Sequence, residues 1–215
     1  DFESQIKGGR KGGKIDRKFS KYYLKKGIEA SKQVQALNPS FSKMDQVYYF
    51  LGFNFTELGN EEQGASYFRT LVKKYPRSTF TSESYRELGL LAMKRNQFGE
   101  AERNLQAALQ TAKSKDDPYL LHKLAWVYYR TRKTSQAIST LKQAIAVASE
   151  NQDRFLSVRD EAVRDLVIFL AEQGRVDEAI SYFKGQAKSD QDFAESMDQL
   201  AKEFDHGGQD LRAIK

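Results

Sequence analysis

The chain has 215 residues, 35 Lys and Arg against 29 Asp and Glu for a net charge of +6, no cysteine, and a mean hydropathy of −0.69. These values exclude disulfides, thiolate metal sites and cysteine nucleophiles, and no apolar run reaches the roughly 18 residues of a membrane span. The charge is polarised: residues 1–44 carry 11 basic against 4 acidic side chains, whereas residues 151–215 carry 9 against 14, an asymmetry that bears on partners rather than on fold.

Residues 1–16 are basic and glycine-rich with little to bury, and read as a flexible segment. Gly8, Gly13 and Lys14 approach a phosphate-cradling loop, but Ile15 stands where Ser or Thr should bind magnesium and no strand pattern precedes it. Lys7, Arg10, Lys11 and Lys14 have the charge for nucleic acid, but no stacking aromatics lie among them, so nucleic acid is not the expected partner. The sequence opens on Asp1 and not on methionine, so it reads as a processed or trimmed piece; an upstream signal peptide or lipid anchor would lie outside it.

Residues 17–39 predict a helix with Phe19, Tyr22, Tyr23, Ile28, Val34 and Leu37 as apolar positions, ended by Asn38-Pro39. It reads as an N-terminal cap over the element that follows. A basic amphipathic helix on a membrane surface is the alternative, disfavoured because the next element needs its outer face covered.

The informative stretch is 45–78. Tyr48, Leu51 and Phe55 stripe a first helix, Gly59 turns it, Gly64, Ala65, Phe68, Leu71 and Val72 stripe a second, and Pro76 stops that one. Gly52 sits where the second helix must cross closely. The order recurs from Ser82 (Tyr85, Leu88, Gly89, Ala92, Ala101, Leu105, Ala108) and from Pro118 (Leu121, Leu124, Ala125, Tyr128, Ala137, Leu141, Ala144). It returns near Asp160 (Val163, Leu166, Val167, Leu170, Gly174, Ala179, Phe183) and near Ala194 (Met197, Leu200, Ala201, Phe204, Gly208). Asn96 and Arg132 replace the turn glycine, which predicts strained turns, and Val167 replaces the small crossing residue, which predicts a splayed fourth hairpin. The longer link 149–157 is expected to extend a helix or add a turn.

This pattern resembles the tetratricopeptide repeat, a helix–turn–helix unit of about 34 residues. The resemblance implies an all-α fold: a right-handed superhelical solenoid over residues 40–215, with repeats near 45–78, 82–115, 118–150 and 160–188 and a partial one at 194–215. One hairpin cannot bury both faces, so the units stack.

Catalytic chemistry finds no constellation. The two histidines, His122 and His206, fall in different repeats without a second ligand at metal spacing, and no serine lies in a nucleophile elbow. The expectation is no enzyme, no metal and no cofactor. In the repeat family the first helices line a concave groove. Carried over by position, the partner-binding candidates are Tyr49, Phe50, Phe53, Arg86, Leu90, Tyr119, His122, Lys123, Trp126, Tyr129, Arg130 and Arg164. Members that bind chaperone tails grip a carboxylate with Lys and Asn at positions 5 and 9. Here these positions read Tyr49 and Phe53, Arg86 and Leu90, His122 and Trp126, so that clamp is absent. The aromatic wall suits an apolar or aromatic peptide or helix of a protein partner, with Arg86, Lys123, Arg130 and Arg164 for its acidic groups. Two readings of Trp126 stay open, a binding anchor or a wedge between neighbouring first helices.

Tyr67-Phe68 with Tyr75-Pro76-x-Ser78 is also similar to repeats of bacterial cell-envelope proteins, which implies an envelope or periplasmic setting, with the cytoplasm as the alternative. The alternatives to a binding scaffold are a self-assembling module, its acidic end docked on another copy's basic head, and an accessory domain of a larger enzyme or membrane machine.

Overall fold

The structure, a computed structural model, describes residues 17–112, 117–150, 152–187 and 189–206. The basic segment 1–16 and the expected second helix of the fifth unit lie outside these residues. Among them are ten helices and no strand: α1 (Arg17–Leu37), α2 (Met44–Glu57), α3 (Glu61–Lys74), α4 (Thr81–Lys94), α5 (Phe98–Thr111), α6 (Pro118–Arg130), α7 (Thr134–Glu150), α8 (Gln152–Glu172), α9 (Val176–Gln186) and α10 (Asp190–His206). The chain forms two compact units that divide between Leu91 and Ala92, near the end of α4.

In the first unit, α2 and α3 make one hairpin around Leu51, Phe68 and Leu71, all fully buried. Their close approach depends on two glycines. A Cβ on Gly52 would lie 2.6–2.9 Å from the Phe68 ring, and one on Gly64 would lie 2.8 Å from the Gly52 carbonyl oxygen and collide with the Thr56 hydroxyl. The expected crossing at Gly52 is therefore present, and Gly64 is its counterpart on the opposing helix.

The turn after α2 closes with Gly59 N–H donating to Thr56 C=O and Asn60 N–H to Phe55 C=O, at 2.9 and 2.8 Å. This is the Schellman pattern, which needs a left-handed residue at its centre, and Gly59 has φ +85°. The same closure recurs three times. Gln97, Lys133 and Arg175 donate to Ala92, Tyr128 and Leu170, with Asn96 at φ +58°, Arg132 at +60° and Gly174 at +66°. The strain expected at Asn96 and Arg132 is thus real, and it falls more heavily on Arg132, because asparagine tolerates this region better.

Helix α1 packs on the first hairpin through Ile28 and Val34, in a cluster with Met44, Val47, Tyr48, Leu51, Phe55 and Leu71. Tyr22, Tyr23 and Leu37, towards the two ends of this 21-residue helix, are 55, 53 and 86% exposed.

The linker after Pro76 is tied back by side chains. Ser78 Oγ donates to Asp45 Oδ2 at 2.5 Å and accepts from Phe80 N–H at 3.1 Å, while Thr81 Oγ1 donates to the Tyr75 carbonyl at 3.0 Å. The Tyr-Pro-x-Ser motif therefore has a structural task of its own, holding the start of one repeat against the start of the next.

In the second unit, Asp117 caps α6 by accepting from Tyr119 and Leu120 N–H, with Pro118 at the first helical position. Ala137, Ile138, Leu141, Ala144, Ile145 and Ala148 give α7 its buried face. Helix α8 absorbs the long link, with a kink at Phe155 (φ −122°, ψ 19°) before the repeat helix proper. Arg159 Nε on α8 donates to Ser149 Oγ on α7 at 3.2 Å. Val167 is buried, as are Ala179 and Phe183 on α9.

Candidate functional site

The candidate residues divide between the two units. In the first, Tyr49, Phe50 and Phe53 stand on α2, and Arg86 and Leu90 on α4. The stripe that packs α2 (Val47, Tyr48, Leu51, Phe55) leaves these three aromatics on the adjacent face of the helix. Phe50 and Phe53 are 43 and 39% exposed, although both are large and apolar. Tyr49 is half-buried and does pack: its ring stacks on Phe80 at 4.7 Å and tilts against Phe68 at 6.0 Å. Phe80, which sequence reasoning missed because it sits in a linker, also contacts Phe50 at 6.2 Å. The result is a connected aromatic cluster with a floor of Tyr49 and Phe80 and two exposed members.

Three charged groups on α4 face this cluster. Burial raises the Tyr49 phenol above its ordinary value; the Arg86 charge opposes the rise, and Glu87 and Glu83 add to it. Arg86, expected to meet acidic groups of a partner, already has one carboxylate beside it on its own helix. Its Nε and Nη2 donate to Glu87 Oε1 at 3.2 and 3.0 Å. Burial lowers the guanidinium's proton affinity, but the Glu87 hydrogen bond and charge outweigh that, so Arg86 stays above its ordinary value.

The second unit brings together residues from α6 and α8. His122 is 97% buried by its 3% exposure, and its Nε2 lies 2.5 Å from Asp165 Oδ2. The Trp126 indole N–H donates to the same oxygen at 2.5 Å. One carboxylate on α8 thus accepts from two successive turns of α6. Glu161 lies 3.9 Å from His122 Nδ1. The Trp126 ring meets Phe169 edge-on at 5.2 Å, and Tyr129 stacks on Phe169 at 3.8 Å with 7° between planes. Trp126, half-buried, is therefore seated between α6 and α8, and His122 and Tyr129 flank it in the same seam.

Sequence reasoning found no carboxylate for His122 because Asp165 is 43 residues away. The repeat register could have paired them, since they stand at neighbouring positions, 5 and 6, of successive repeats. Lys123 Nζ lies over the Tyr119 ring at 5.1 Å, and Arg130 lies over Phe98 at 5.3 Å, the geometry of cation–π contacts. Arg164 is exposed on α8. Among the described residues no group of three His, Asp or Glu side chains could hold a metal ion, and no helix is long and apolar enough to cross a membrane.

Tandem helical hairpins joined by repeated Schellman turns, with glycine at the crossing of the first pair, define a helical repeat protein. The comparisons agree with that class. Tetratricopeptide repeat models match residues 46–78, 80–150 and 122–192, and a model of anaphase-promoting complex subunit 5 matches 178–213. The chain belongs to the tetratricopeptide repeat family, and its fold is the all-α repeat solenoid of that family. No curated protein matches it. Among solved structures, MamA is 21% identical with a TM-score of 0.61, over 88% of this chain and 98% of that one. BtubC from P. vanneervenii is 12% identical with a TM-score of 0.63, over 93% and 87%. YrrB, described as a tetratricopeptide repeat protein with an unusual peptide-binding site, is 16% identical with a TM-score of 0.60, over 87% and 88%. Identities this low speak to the fold alone.

Proposed function

We propose that this chain is a non-catalytic protein-interaction scaffold that docks a peptide or helix of a partner protein on the exposed aromatic face of its first-helix surface. The observation that carries the reading is the exposure of Phe50 and Phe53 on a helix whose packing stripe is already complete. Large aromatics that a fold does not use for its own core are the side chains that dominate interface energies. Membership of a repeat family built to present such faces supports the same reading, as does the peptide-binding site of YrrB, a neighbour in fold. The setting we propose is a bacterial cell-envelope assembly, on the similarity of the Tyr67-Phe68 and Tyr75-Pro76-x-Ser78 segment to envelope repeats.

The test is a double variant, Phe50→Ala with Phe53→Ala, compared with the parent chain for thermal melt and for proteins that copurify from the native source. The scaffold reading expects a modest lowering of a still cooperative melt, from the lost ring contacts with Tyr49 and Phe80, and the loss of defined partners. An identical partner set in both samples contradicts it. Fractionation of the native source checks the setting, with recovery in the cytosolic fraction as the opposing result.

A further inference from the structure

Helix α1 is written like the second helix of a repeat. Pro76, which follows α3, stands 37 residues after Pro39, which follows α1, and the same step carries Gly27 onto Gly64. In the α2–α3 hairpin, Tyr67 and Lys74 are turned to the first helix of their own repeat: Tyr67 stacks on Phe55 at 5.6 Å, and Lys74 lies over the Tyr48 ring at 5.9 Å. Their counterparts on α1 are Ala30 and Leu37. Both are exposed, and Tyr23, two turns before Ala30, extends the same edge and is exposed as well. Ile28 and Val34 hold α1 on α2. What α1 lacks, among the described residues, is a first helix of its own.

Helix α10 lacks the converse. It has the register of a first helix and packs on α8 and α9 with Leu200 buried. Ala201 takes the place in its repeat that Gly52 takes in the first hairpin, where the Phe68 ring of the second helix crosses. Ala201 is exposed, as is Ala194 two turns earlier, so among the described residues no second helix crosses there. The two helices are also opposite in charge. Helix α1 has six basic residues and one acidic, and α10 six acidic and one basic. Lys21, Lys25 and Lys26 are exposed on α1, and Asp190, Glu195 and Asp198 on α10. Lys26 with Glu29 and Asp198 with Lys202 form local pairs, but these are solvent-exposed and exchange partners at little cost.

We infer that α10 of one copy docks on the Tyr23, Ala30 and Leu37 edge of α1 in a second copy, in the place a first helix of that repeat would take. The two helices form a hairpin in trans, with Ala201 at its crossing and the carboxylates of α10 among the lysines of α1. Every copy carries both halves, so the contact is heterologous and builds chains or rings of copies, not a two-fold dimer. It uses neither Phe50 nor Phe53, so it stands or falls apart from the docking role proposed above.

Sedimentation velocity of the full chain over a wide range of concentration tests it. Species larger than a dimer should grow with concentration and shrink at high salt. Two charge-reversed variants, Lys25→Glu with Lys26→Glu and Glu195→Lys with Asp198→Lys, should each self-associate about tenfold more weakly or worse, because like charges then meet at the contact. An equimolar mixture of the two should recover association, since each reversed helix finds its opposite on the other variant. Ala201→Gln fills the crossing at an exposed position without changing charge. It should weaken association and leave the circular dichroism melt unchanged, and it decides the matter if a charge reversal disturbs folding. Association equal to the parent in Ala201→Gln, or a mixture of folded variants that stays monomeric, overturns the inference. So does a chain that is monomeric at every concentration, whether or not α1 carries it down with phosphatidylserine vesicles instead.

Discussion

Asp165→Ala is the substitution for which the structure makes the sharpest demand. The carboxylate accepts from the Trp126 indole and from His122, so its removal leaves two polar groups of α6 unpaired, one of them on a side chain only 3% exposed. Hydrogen bonds to a charged group contribute about 1.5–3 kcal/mol each, and a buried group left unsatisfied costs its desolvation. Because the two bonds share one oxygen they are not additive, so the expected loss is about 2–4 kcal/mol. Asp165→Asn keeps an acceptor at the site and should lose less than half of that. Urea unfolding followed by helical circular dichroism reports the whole array. Fluorescence of the one tryptophan, Trp126, reports the α6–α8 seam itself. The tryptophan transition should move to lower urea in Asp165→Ala, since stability in a repeat array is distributed over repeats and their interfaces. A change under 0.5 kcal/mol in both probes would mean that the seam does not depend on this carboxylate, and the packing account of Trp126 would fail.

Other outcomes follow from particular contacts. Arg132→Gly should stabilise the chain by about 1 kcal/mol by relieving the left-handed strain at φ +60°; a lower melting temperature would show that the Arg132 side chain contributes more than its strain costs. Gly64→Ala should destabilise by roughly 1–3 kcal/mol despite its better helix propensity, because its Cβ meets the Gly52 carbonyl oxygen and Thr56; a stabilised variant would refute the close crossing. The Lys142 hydrogen bond holds Glu178 below the ordinary carboxylate value. That small contribution is complete above the unfolded-state value and is lost as pH falls through the folded-state one. Glu178→Gln should therefore lower stability slightly at neutral pH and match the parent chain in acid, which flattens the acid limb of the stability–pH curve.

The hairpins were legible because their determinants are local. Gly52, Gly59, Phe68 and Pro76 fall within one repeat, and the spacing of Tyr48, Leu51 and Phe55 can be read without knowing any neighbour. Even the exceptions at Asn96 and Arg132 were visible as missing glycines, and the structure places both in the left-handed region. The site was legible only in part. Position in the repeat marked Phe50 and Phe53 as partner-facing candidates, and both rings are partly exposed. It could not show that Tyr49 packs on a linker phenylalanine, that Arg86 pairs with its own neighbour Glu87, or that Asp165 gathers His122 and Trp126. Those outcomes depend on the rotation of one repeat against the next and on rotamer choice, neither of which the hydrophobic period encodes. The ends of α1 show the same gap: periodicity marks Tyr22 and Leu37 as apolar positions, yet both stay more than half exposed.

The central claim is that the exposed face of α2, rather than the outer face of the hairpin, receives the partner. A photo-activated phenylalanine analogue placed at Phe53, and separately at Gln63 on the exposed side of α3, tests this in living cells. Covalent adducts to a discrete partner from position 53, with none from position 63, are the predicted result. Adducts of equal yield at both positions, or a partner captured from position 63 alone, would contradict it.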